Sequence, residues 1–176
     1  MKKACAIVLI TLISCASFAQ SDAAFFKELE SRKGKTYYGK AIYMPDTVTA
    51  NDYWGEKLSF KIKSASKSEL RIPFQVGENK TRTWVLKKTS SGLQLKHDHR
   101  HADGSADSIT NYGGNSSRGI STELIQYFPA DEFTAKLLPA AATNRWIMQF
   151  SADKKKFYYI LERDNKMRFK AEFILK

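Results

Sequence analysis

Between Leu58 and Leu175 the apolar residues return, run after run, at every second position, and this period decides the fold class. Side chains two apart on an extended strand share one face, whereas a helix would need a period near 3.6. Leu58, Phe60 and Ile62 alternate with Ser59, Lys61 and Lys63; Leu70, Ile72, Phe74 and Val76 alternate with Arg71, Pro73 and Gln75. The pattern continues through Trp84 and Leu86, through Trp146, Met148 and Phe150, and through Phe157, Tyr159 and Leu161. It closes with Met167, Phe169, Ala171, Phe173 and Leu175. Each run reads as a strand with one buried face.

Ser90-Ser91-Gly92, Asp103-Gly104 and Asp164-Asn165 are tight-turn signals that make neighbouring strands antiparallel. Asp103-Gly104 is expected to return residues around 107–112 against the strand before it. Pro73 inside a strand pattern points to an edge or a bulge. Two short helices are expected. One covers Asp22 to Arg32, with Ser21 or Asp22 as cap, Gly34 as stop and Phe25, Phe26 and Leu29 on its apolar side. The other lies near 130–138, after Pro129, around Phe133, Leu137 and Leu138. Gly113 to Gly119 reads as a mobile loop, since it lacks the pattern of a phosphate cradle.

These elements predict an all-β protein: an antiparallel up-and-down barrel of about eight to ten strands, in preference to a sandwich. The layout resembles the lipocalin-like, or calycin-like, barrels and the fatty-acid-binding barrels. Gly34-Lys35-Thr36-Tyr37 lacks the Gly-x-Trp signature of the lipocalins, so the likeness is one of arrangement. A small meander of this kind encloses a cavity, which implies a ligand.

Met1 to Ala19 reads as an export signal: Lys2 and Lys3, an apolar run from Ala4 to Ile13, and the small-x-small site Ser17-Phe18-Ala19. Residues 20–176 are then one barrel domain, periplasmic or extracellular. The alternative is a membrane-anchored lipoprotein, because Leu12-Ile13-Ser14-Cys15 resembles the bacterial lipobox. Both cysteines, Cys5 and Cys15, fall in this segment. Cleavage at Ala19 would therefore leave neither a disulfide nor a thiolate chemistry. The apolar run falls short of the roughly 20 residues that span a bilayer, and no later segment competes. The formal charge of +11 becomes +9 once Lys2 and Lys3 are removed. That balance favours an anionic lipid or envelope component as partner, and export makes nucleic acid unexpected. A plainer reading spreads the lysines over the outer face of the sheet, with one run at Lys154-Lys155-Lys156.

All three histidines fall within Leu93-Gln94-Leu95-Lys96-His97-Asp98-His99-Arg100-His101. His97, His99 and His101 continue the parity of Leu93 and Leu95, so they are expected to face inward, leaving Asp98 and Arg100 to pair outside. Alternate Cα atoms on a strand lie about 6.5–7 Å apart, close enough for two imidazoles to chelate one ion. A zinc site needs three or four ligands, so Asp103, Asp107 or Glu123 would have to complete it. The row can equally hydrogen-bond internally, bind a polar or anionic ligand with Arg71, or respond to pH. Neither Gly-x-Ser-x-Gly nor HExxH occurs, and no catalytic residue is assigned.

The stretch Arg71-Ile72-Pro73-Phe74, Thr83-Trp84-Val85-Leu86, Leu95 to Gly104 and Tyr112-Gly113-Gly114 resembles a group of small exported bacterial proteins. The resemblance implies an exported single domain and no particular activity. Three functions are therefore carried forward. The first is a non-enzymatic binder of a small ligand, lipid or envelope component through His97, His99, His101 and Arg71. The second is a metal-binding protein or metal-dependent hydrolase, with zinc on His97, His99, His101 and Asp103. The third is an envelope lipoprotein with a structural or inhibitory role.

Overall fold

Residues 20–45 and 53–176 are described by the computed structural model. The expected export signal, its two cysteines and the lipobox lie outside the described residues. The period-two runs form strands of a single antiparallel sheet. In chain order these are β1 (Thr36–Tyr43), β2 (Leu58–Lys61), β3 (Ser64–Ala65), β4 (Glu69–Val76), β5 (Asn79–Thr89) and β6 (Gly92–His99). They are followed by β7 (Tyr112–Asn115), β8 (Ile125–Pro129), β9 (Asn144–Phe150), β10 (Lys156–Arg163) and β11 (Lys166–Ile174).

The order across the sheet is β7-β6-β5-β4-β2-β1-β11-β10-β9-β8, with the short β3 added beside β4. Apart from β2 and β4, which pair across the short β3, every neighbour is the next strand in sequence, and the first strand meets the last. The sheet is thus an up-and-down, nearly closed barrel. Its seam lies between β7 and β8, where no ladder forms among the described residues. Single bonds cross there instead: Ser117 N donates to the Tyr127 carbonyl at 2.8 Å and Asp131 N to the Gly113 carbonyl at 2.9 Å.

The seam explains Gly113 and Gly114, which belong to β7 and are buried rather than part of a mobile loop. A Cβ on Gly114 would sit 1.8 Å from the Pro129 carbonyl oxygen, and one on Gly113 2.0 Å from that of Leu95. Glycine at 114 lets the two edges of the seam approach this closely, and glycine at 113 (φ +149°) lets β7 lie against β6. Pro73 is likewise not at an edge. The β2–β4 ladder stops at Phe74 and the β3–β4 ladder begins at Arg71, so Pro73 falls opposite the break between them.

Helix α1 (residues 20–30) closes one end of the barrel. Phe25, Phe26 and Leu29 are fully buried, and Phe25 packs on Phe150 at 5.3 Å between ring centres. Lys154 in the β9–β10 turn reaches Glu28 at 2.9 Å, and the turn after the helix closes at Gly34 (φ +88°), whose N–H donates to the Ile62 carbonyl. Ser21 and Asp22 lie within the helix; Asp22 is buried, which raises its carboxyl above the usual range. Helix α2 (Glu132–Leu137) bridges β8 and β9, capped by Asp131, whose carboxylate accepts from Thr134 N. Its buried residue is Thr134, while Phe133 is exposed. Above α1 the core is a stack of rings, with Trp84 between Phe74 at 4.6 Å and Tyr159 at 4.4 Å.

Candidate binding site

The barrel end away from α1 holds a cavity of about 290 Å³. Its walls carry the rings of Tyr53, Tyr112, Trp146, Tyr159 and Phe169, with Met44 and Leu161 between them. Arg163 and Arg168 complete the lining. This puts the cavity at the low end of the roughly 300–1,000 Å³ usual for small-molecule sites.

His97 lies beneath this cavity, inward as its parity predicts and only 4 % exposed. Its Nδ1 faces the Tyr112 carbonyl at 3.1 Å, and its Nε2 faces the Tyr159 hydroxyl at 2.5 Å. A carbonyl oxygen can only accept, so Nδ1 carries the proton and Nε2 accepts from the phenol. The imidazole also stacks on the Tyr112 ring at 4.7 Å and lies 5.1 Å from that of Trp146. Burial pulls its pKa down to about 3, and the carbonyl bond offsets only part of that effect. His97 is therefore a neutral spacer that fixes two tyrosines of the cavity wall.

His99 is the second inward member. Its Nε2 shares a hydrogen bond with the Tyr112 hydroxyl at 3.0 Å. Burial first, and then the charge of Arg82, lower its pKa. Tyr112 and Tyr159 are shifted upward by burial, so both phenols keep their protons. His101 departs from the row, because β6 ends at His99 and the chain enters a turn. In that turn Gly104 has φ +86° and donates to the His101 carbonyl at 3.0 Å, leaving His101 exposed. The chain returns antiparallel as expected, through an Arg100–Ala106 bridge and bonds from Asp107 N and Asn111 N to the His99 and His97 carbonyls, while the regular strand begins at Tyr112 because Asn111 (φ 59°) interrupts the ladder.

The chelating arrangement is not assembled here. Both nitrogens of His97 are committed to protein partners, His101 is outside the strand, and Asp103 is bound to its own turn through Ser105 at 2.7 Å. Among the described residues no three His, Cys, Asp or Glu side chains gather as a metal site.

Arg71 does not reach the cavity. It lies on the outer face of β4, where it binds Asp98 at 2.5 Å, and Arg100 binds the same carboxylate at 2.8 Å. Burial would raise the Asp98 pKa, but Arg100 and Arg71 hold it below the usual range. The outward pairing of Asp98 with Arg100 is as the strand parity requires.

The cavity residues beyond the histidine row come from other strands. Arg163 continues the inward parity of Phe157, Tyr159 and Leu161, a signal present in the sequence. Arg168 carries no such signal, because a bulge brings it in. The β10–β11 register steps from Leu161↔Phe169 to Glu162↔Met167, so Arg168 has no opposite residue. Comparison with protein-family models and with curated proteins returned no match to this chain.

Proposed function

We propose that this protein is exported and acts in the periplasm or outside the cell as a non-enzymatic barrel that holds one small ligand. The observation that carries the reading is the open-end cavity, ringed by aromatic side chains and stiffened from below by the Tyr159–His97–Tyr112 bonds. Apolar walls with a few fixed polar groups are the usual make-up of a binding site. The groups around it also suit holding better than catalysis. General bases work best with a pKa near the operating pH, whereas His97 titrates far below it and the two tyrosines far above.

Native mass spectrometry of protein taken from its own envelope tests this. Wild type should carry one small adduct, and Leu161→Trp, which fills the cavity, should not. An adduct retained by the filled variant would move the site elsewhere. Intact mass of the same sample tests export: a chain starting at Gln20 supports it in free form, whereas an acylated Cys15 would make this a membrane-anchored barrel.

A further inference from the structure

Among the described residues that line the cavity, every charged side chain is a cation. Arg163 and Arg168 both contribute to its wall, and none of the described lining residues is a carboxylate. The nearby acid on β10, Glu162, faces the other way and is already bound to Arg145 at 2.5 Å.

The two guanidiniums are presented differently. Arg163 donates from Nε to Asn144 Oδ1 at 2.8 Å, and Asn144 is itself buried. That bond holds the side chain in place while its two terminal NH₂ groups make no hydrogen bond or ion pair among the described residues. Arg168 is turned into the wall by the β10–β11 bulge and has no ion pair or hydrogen bond among the described residues. Two cations beside one half-enclosed, ring-lined space create a positive potential that an anionic ligand would neutralise. A guanidinium matches a carboxylate with paired, charge-assisted bonds, and these are stronger where water is displaced.

We infer that the cavity takes a compact organic anion, with a flat apolar body against Trp146, Tyr159 and Phe169 and its acidic group on Arg163 and Arg168. This rests on the binding role proposed above and narrows it to one ligand class. The cavity volume of about 290 Å³ sets the size limit. A two-ring acid fits that space, and a long acyl chain does not.

Calorimetric titration with 2-naphthoate, its neutral isostere 2-naphthamide and palmitate tests the inference. The acid should bind wild type about tenfold or more tightly than the amide, as expected for one charge-assisted bond. Arg163→Gln and Arg168→Gln should each remove most of that advantage and leave the amide unchanged. Should a variant misfold by circular dichroism, the wild type alone still decides: naphthoate affinity should fall as salt rises, and amide affinity should not. Equal binding of acid and amide would overturn the anion class and leave the cavity role standing. Palmitate binding as tightly as naphthoate would overturn the compact class. Binding of none of the three would overturn this inference and count against the cavity role as well.

Discussion

The two ends of the barrel are built from the same alternating strands and do opposite things with them. At the α1 end, Phe25, Phe26 and Leu29 plug the opening, and rings from Phe150, Phe157 and Phe60 fill the space behind. At the open end, tyrosines and two arginines stand around a cavity, with a neutral histidine beneath it. Trp84 lies between these regimes, stacked on apolar Phe74 on one side and on Tyr159 on the other. The inward face thus grades from wholly apolar to hydrogen-bonded and then to charged. Stability should concentrate at the plugged end and recognition at the open one.

Truncation is the strongest way to break that contrast. Phe25→Ala should cost about 3–5 kcal/mol, the range for a buried aromatic, read as a lowered urea midpoint. Leu161→Ala, at the half-buried cavity wall, should cost under about 2 kcal/mol because it falls short of full burial. Equal losses would erase the distinction between the ends.

The histidine beneath the cavity gives the next effect, and it depends on pH. Native His97 stays neutral down to about pH 3, whereas an unfolded histidine takes its proton near 6.5. Between those values the unfolded chain binds more protons, so stability falls as pH falls, by up to about 1.4 kcal/mol per pH unit. Urea titrations from pH 6.5 to 5 lie above the range where Asp98 and Asp131 protonate. His97→Gln should flatten the slope by about one proton over that interval, after an initial loss of about 1–3 kcal/mol for partners left poorly satisfied. An unchanged slope would place His97 in a wetter setting than this one.

The smallest effect belongs to the outer face. Arg71→Ala should change stability by about 1 kcal/mol or less, since its side chain is partly exposed and Arg100 still pairs the buried Asp98, and should leave naphthoate affinity alone. A loss of ligand binding in this variant would mean that Arg71 shares the site after all.

Much of this contrast was legible in the residues. The alternation placed most strands and their inward faces, the turns set them antiparallel, and the apolar side of α1 was visible in Phe25, Phe26 and Leu29. Strand β8 escaped because its parity misleads: buried Gln126 shares the inward face with Phe128, while Ile125 and Tyr127 look outward. Gly113-Gly114 looked like a loop because composition cannot show that two sheet edges meet there. At the site, parity sent His97 and His99 inward, yet it could not stop the strand at His99 and so carried His101 along. The partner of His97 is Tyr159, 62 residues away. Only the curvature of the closed sheet brings them together, and Arg168 depends on a bulge with no local sign.

Backbone and indole NMR resonances, followed while 2-naphthoate is added, test the central claim most directly. Residues of the open end, Tyr112, Trp146, Tyr159 and Phe169, should shift together and saturate at one ligand per chain, while Phe25, Phe26 and Leu29 stay still. Saturable shifts centred on the α1 end or on the outer lysines, with the open end unmoved, would contradict the division of labour between the two ends.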